Sequence, residues 1–413
     1  MKNICKKMAL LGGVTLCLPA FAEVLDRNDG LRIGQRMTLR PYVTASVSYD
    51  SNPKSQHDDE DPDALWTISP GLSLAYNADS WSLLLSGYYN YRTYTRSTNQ
   101  GYNQHSYGED LRWNWANSTG VEKGWSLIIG EAFQQLTGAD DLTLSDGRGY
   151  VQDTRQLQLS AALQRRFNER WHGNVNTGYY WLDYLNDTRY AGAMYGWDRL
   201  SLGGEAGFAP SPWTDIILSG GYQGYTQDNA GGNQYLDDTS YGWTVQGGIG
   251  SYMTDRISYR VLLGWTSFDY AGGASSSDGL TYTVSANWKI GETWNTMVLA
   301  TSYYQPAERQ YASASRVDAV SWGLAKSMVR GKLRGTLDLR YRRETNEYVL
   351  GNGMDYTLDI ITGRIGFDYT FCRFFSVFAH CEYQRSWNDE SDARGGAYDY
   401  DRLRITGGIR LAY

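Results

Sequence analysis

The chain of 413 residues carries 34 Tyr, 15 Trp and 46 Gly against 8 Pro and 4 Cys, with a formal charge of -7 at pH 7. That balance excludes a nucleic-acid binder, and four cysteines exclude a disulfide scaffold. Mean hydropathy is -0.52 and no apolar run approaches the ~20 residues of a membrane helix. Two or three soluble domains would fit the length, but so aromatic a soluble chain should show continuous apolar core segments. Here the apolar residues are dispersed in alternation, so the period carries the signal and the mean does not.

Residues 1 to 22 read as an export leader. Lys2, Lys6 and Lys7 precede an apolar run from Met8 to Leu18, and the small-residue site Ala20-Phe21-Ala22 follows. Cleavage is expected near Glu23. Leu16 before Cys17 argues against a lipid anchor. Without the leader the chain holds 35 basic residues, three fewer than the whole, against 45 acidic. Cys372 and Cys381 then remain, on the order of 20 Å apart along the chain, and two free thiols are expected. Residues 23 to 35 read as a short periplasmic lead-in, and residues 36 to 413 as the body of the protein.

The first strand is Met37 to Tyr49, with Leu39, Val43, Ala45, Val47 and Tyr49 on one face and Arg40, Tyr42, Thr44, Ser46 and Ser48 on the other. The next stretch sets the pattern for the chain. Trp66, Ile68, Leu72, Leu74 and Tyr76 share a parity, Asn77 to Ser80 read as a four-residue turn, and Trp81, Leu83, Leu85, Tyr89 and Tyr91 resume the alternation. Such a turn would set Tyr76 opposite Trp81.

About eighteen such segments follow one another. Openers after short polar turns are Trp81, Trp125, Trp171, Trp213, Ile257, Trp294, Leu333 and Phe375. The other connections, such as residues 135–153, 186–195 and 228–238, are longer and rich in Asp, Asn and Gly. The fold class expected is all-β: a transmembrane antiparallel up-and-down β-barrel with short periplasmic turns, long extracellular loops and Trp in an interfacial girdle. A soluble sandwich would need a second sheet over every apolar face. Two strands break phase. Ile216, Leu218 and Tyr222 are out of step with Trp213, as are Met297 and Leu299 with Trp294; a bulge near each strand start, or a miscounted strand pair, would account for this.

In a barrel the face turned from lipid lines the lumen. Most of it is Ser, Thr, Gly, Asn and Gln, but the last strands and the first differ. Arg334, Asp338, Arg340, Arg342, Arg364, Asp368, Glu382, Arg402, Arg404 and Arg410 face inward there with Arg36 and Arg40, and closure of the ring collects them on one wall. They read as a basic ladder for anionic or carboxylated solutes, or more plainly as a salt-bridge network propping the wall. Inward Tyr42, Tyr88, Tyr180 and Phe378 could stack on sugar rings, or simply pack on neighbours. Ser376, His380 and Glu382 share an inward face without a nucleophile motif or an oxyanion-forming loop, so no enzyme is expected. The acidic loops lack the fixed spacing of a Ca²⁺ site, and neither metal nor cofactor is expected.

The C-terminal strand ends on Thr406, Gly408, Leu411 and Tyr413 in the pattern polar, Gly, apolar, terminal aromatic. This resembles the signal by which the assembly machinery recognises outer-membrane barrels. The stretch from Leu39, with Tyr49-Asp50-x-Asn52 at its end, is similar to the first strand of porin-like outer-membrane barrel families, some of whose members accompany exopolysaccharide gene clusters. The resemblance implies an outer-membrane pore, and it transfers no functional residue. The expected role is passive or weakly selective passage of small polar solutes, saccharides or anions among them. The alternatives are a conduit or partner subunit in exopolysaccharide export and a non-conducting structural or adhesive barrel. Expected partners are outer-membrane lipid, lipopolysaccharide and the barrel-assembly machinery. Homo-oligomerisation stays open, because a trimer-forming belt and a lipid-facing one look alike.

Overall fold

In a computed structural model the protein is described at residues 30–53, 62–96, 103–118, 124–139, 152–184, 196–211, 213–227, 239–251, 256–270, 276–306, 312–348, 356–388 and 399–413. The export leader, most of the lead-in and most of the long connections, residues 186–195 and 228–238 among them, lie outside the described residues.

Described residues form β1 (Leu31–Ile33), β2 (Met37–Asp50), β3 (Asp63–Asn77), β4 (Trp81–Tyr94), β5 (Asn103–Ser118), β6 (Gly124–Ala139), β7 (Gln152–Arg166), β8 (Trp171–Tyr184), β9 (Trp197–Ser211) and β10 (Thr214–Gln227). The chain continues with β11 (Ser240–Ser251), β12 (Ile257–Tyr270), β13 (Ser277–Ile290), β14 (Trp294–Pro306), β15 (Ala312–Met328), β16 (Leu333–Tyr348), β17 (Tyr356–Cys372), β18 (Phe375–Asn388) and β19 (Tyr400–Ala412). From β2 to β19 each strand pairs antiparallel with the next, and β19 pairs back onto β2 from Arg404–Asp50 to Ala412–Tyr42. The result is a closed, all-β, up-and-down barrel of eighteen strands, and closure leaves no sheet edge to satisfy in lipid.

Alternation places the side chains as the period requires. In β3, Trp66, Ile68 and Leu72 are exposed on the outer surface while Leu65, Ser69 and Ser73 are buried on the inner one. In β19, Ile405, Ile409, Leu411 and Tyr413 face out. Aromatic rings gather at the turn end: Tyr76 stacks on Trp81 at 4.7 Å, Trp171 lies 4.8 Å from Phe208, and Phe374 stacks on Tyr413 at 5.2 Å. Cations lie over several rings of this girdle, among them Arg165 over Trp125 at 4.5 Å and Lys326 over Trp294 at 4.2 Å. Trp at the water boundary with Arg or Lys beside it is the anchoring expected of an interfacial belt.

Four local features depart from the pattern or complete it. The β3–β4 turn is tighter than four residues, since Ala78 N donates to Trp81 O and Tyr76 faces Leu83; Trp81 is the diagonal neighbour. The β10 phase break is a bulge between Thr214 and Ile216 against β9, as expected. β14 has no bulge and no miscounted pair: it runs in unbroken register against β13 and β15, so Met297 and Leu299 face the lumen beside Asn287 and Ser285. Part of the lead-in is β1, which folds back through Gly34 (φ 71°) to pair with Met37–Leu39, just past the point where β19 ends. Cys372 and Cys381 are both free and exposed.

Candidate functional site

The charged wall forms where closure was expected to gather it, on β16, β17, β18, β19 and β2. Direct cross-strand neighbours run Asp338–Arg364, Arg364–Glu382, Glu382–Arg404 and Arg404–Asp50, one lumenal row of alternating sign across five strands. Arg334 faces Asp368 in a second row nearer the turn end. Arg40 lies on the same wall opposite Ser73, whereas Arg36 sits outside it, at the turn rim, 3.4 Å from Asp79.

Burial divides this wall by height. At the loop end Asp50 is fully buried and Arg402 nearly so, and Arg402 Nη2 donates to Asp50 Oδ2 at 2.6 Å while its Nε donates to Oδ1 at 2.9 Å. Arg404 Nη2 reaches the same carboxylate at 3.0 Å, and the Tyr94 hydroxyl donates to it at 3.4 Å. Arg342 pairs with buried Glu344 at 3.1 Å. These arginines are spent on wall carboxylates. At mid-height the situation reverses: Arg340 is exposed to the lumen, and among the described residues Asp338, Arg340 and Glu382 form no ion pair. Arg364 Nη2 donates to His380 Nδ1 at 2.7 Å, which makes that nitrogen the acceptor and puts the imidazole proton on Nε2, 3.9 Å from Asp368 Oδ2. Arg410 lies over the Phe378 ring at 5.6 Å.

Inward aromatics lie along the wall rather than projecting from it. A Cβ on Gly71 would fall 2.2 Å from Cζ of Tyr42, and one on Gly408 would fall 2.4 Å from Cζ of Phe378. Tyr88 covers Gly108 in the same manner. Each ring therefore fills the space of a missing side chain on the adjacent strand, and Gly408 of the terminal pattern is one such socket. Tyr180 joins a cluster that only three dimensions reveal: it lies 4.8 Å from Trp197, which lies 6.0 Å from Tyr225, itself 5.7 Å from Phe268. Tyr225 and Phe268 are buried.

Elsewhere round the ring burial is frequent at the loop end too, although inward Ser73, Asn174, Ile217 and Leu262 are buried nearer the turns. Inward residues at the loop end are buried on strand after strand, as at Leu65, Tyr94, Thr154, Leu182, Ser240, Val317, Leu358 and Ser386. Lower down, inward Arg112, Ser160, Asn176 and Met297 are exposed. Inward side chains are thus buried at the loop end on many strands, while several at mid-height stay exposed. Sequence reasoning missed Asp50, which lies 352 positions from Arg402, and missed Trp197, Tyr225 and Phe268. The parity of each was readable, but its height relative to the others was not.

An apolar outer belt, an aromatic girdle and a polar interior in one closed ring define a structure that lives in a bilayer. The chain is a multi-pass β-barrel of the bacterial outer membrane. Among solved structures it is similar to the FrpB iron transporter from Neisseria meningitidis, at 9% identity and TM-score 0.51 over 92% of this chain and 82% of that one. It is also similar to the siderophore receptor PirA from Pseudomonas aeruginosa, at 8% identity and TM-score 0.45 over 93% and 81% of the two chains. Likenesses this distant extend to the fold alone. No family model matches the sequence, and no curated protein does.

Proposed function

We propose that this barrel is an outer-membrane channel for small polar solutes, saccharides among them, and that its loop end is closed at rest. The observation that carries the reading is the mid-height lumen, where Asp338, Arg340 and Glu382 stand without ion-pair partners among the described residues in a ring wide enough to hold water. Charges already consumed in the wall, as at Asp50, cannot act on a solute. Unconsumed ones set the field that a passing ion meets. That the FrpB barrel belongs to a transporter is consistent with passage through such a ring.

The test is conductance in planar bilayers. Openings are expected, with a several-fold fall in the anion-to-cation permeability ratio for Arg340→Glu read from the reversal potential. Buried inward residues all round the loop end favour a second reading, a non-conducting structural or adhesive barrel. Silence at every voltage, with and without loop-end variants, would establish that reading instead. A role in exopolysaccharide export rests on the sequence resemblance alone, and a deletion strain with unchanged surface glycan would end it.

A further inference from the structure

Between the girdle and the loop end, outward side chains meet hydrocarbon, where ionisable groups are costly unless they are partnered. Glu131 lies there. It stands seven residues beyond Gly124 at the turn end of β6 and eight short of Ala139 at the loop end, near mid-span. Its parity is that of Trp125 and Ile129 on the outer surface, and its cross-strand neighbours are Leu111 and Leu159. Glu109, exposed on β5, faces Gly87 and Phe133, which makes it the diagonal neighbour of Glu131 at about 7–8 Å. No ion pair or hydrogen bond reaches either carboxylate among the described residues.

Elsewhere among the described residues the belt keeps outward charge to its ends. Arg165 and Lys326 sit at the turn side; Arg155, Arg343 and Arg385 sit at the loop side. A Cβ on Gly87 would meet nothing nearer than a backbone oxygen at 3.9 Å, so a dent lies beside Glu109. Toward the loop end the Tyr107 hydroxyl donates to Gln135 Oε1 at 2.7 Å, and Arg155 Nε donates to the same oxygen at 3.1 Å. Polar surface therefore descends from the loop end to mid-span along β5 and β6.

We propose that the outer face of β4–β7 is a lateral protein interface, occupied by a different membrane-embedded chain that presents a lysine or arginine at mid-span. Charge complementarity selects this occupant. Two unpartnered carboxylates require a cation or strong donor, and a second copy of this chain offers no described outward base at that depth. Anionic lipid headgroups carry the wrong sign and lie at the bilayer surface rather than its middle.

A photo-crosslinking side chain placed at Phe133, beside Glu109, tests this in native outer membranes, with Phe367 on the outer face of β17 as control. Phe133 should give an adduct with another protein that Phe367 does not give. Peptide mapping should place the linked residue beside a Lys or Arg within a membrane span. The adduct should fall at least tenfold in the double variant Glu109→Gln, Glu131→Gln. Each single Gln variant should weaken it too, which covers a double variant that assembles poorly. No adduct, lipid adducts alone, an adduct of two copies of this chain, or an adduct indifferent to the Gln substitutions would each overturn the proposal.

Discussion

Two walls of the barrel bury their loop-end side chains by different means. Where β19 meets β2, the device is electrostatic: Arg402 and Arg404 converge on Asp50, which no solvent reaches. Across the ring, β8 to β12 use rings, with Tyr180, Trp197, Tyr225 and Phe268 in file and Arg199 lying 5.6 Å from the Tyr180 ring. The difference lies in what each device tolerates. A buried ion pair depends on balanced charge and fails abruptly when one partner goes, whereas a ring cluster depends on filled volume and loses energy in proportion to the space opened.

The largest effect should therefore come from Asp50→Ala. Two arginines would lose the buried carboxylate on which they converge, at a cost of about 3–5 kcal/mol. Heat-modifiability on semi-native gels should show the folded band lost well below the wild-type temperature. Arg402→Met should cost less, because Arg404 still neutralises Asp50. If Asp50→Ala melts with the wild type, β-pairing alone holds the seam and the contrast between the walls collapses.

Phe268→Ala comes next, at about 3 kcal/mol, within the range for emptying a buried aromatic site. The two losses should add to within about 0.5 kcal/mol in the double variant, since the sites share no partner. Strong coupling would mean that the loop ends of the two walls move as one body. Planar-bilayer recordings of the same variants should show more frequent openings than the wild type if these devices hold the mouth shut.

Much of this fold was legible because a dyad period and turn chemistry are local. Trp81, Trp171, Ile257, Trp294, Leu333 and Phe375 open strands as read, and Trp125 and Trp213 miss by one residue. Parity alone failed where both faces are apolar: Met297 and Leu299 looked like a phase slip, and only the register against Asn287 and Ser285 shows them facing the lumen. Height was the missing coordinate for the site. Arg402 and Arg404 could be assigned to the lumen, but whether they meet a solute or a carboxylate depends on the stagger that brings Asp50 opposite Arg404. Stagger around a closed ring accumulates from every turn, and no single segment contains it.

The smallest effect isolates burial from chemistry. Arg343 on the outer face grips Asp359 much as Arg402 grips Asp50, with Nε to Oδ1 at 2.9 Å and Nη2 to Oδ2 at 3.1 Å. Its side chain, however, is 51% exposed against 7% for Arg402. The Tyr341 hydroxyl also donates to Asp359 at 2.6 Å, so removing the arginine leaves the carboxylate hydrogen-bonded. Arg343→Ala should therefore cost no more than about 1 kcal/mol, as exposed pairs do. That small loss should shrink further in high salt, because mobile ions screen an exposed pair and do not reach a buried one. Melting Arg343→Ala and Asp50→Ala side by side at low and high ionic strength checks both statements. A salt-insensitive loss at Arg343 as large as that at Asp50 would mean the guanidinium fork itself, and not its removal from water, sets the strength of these ties.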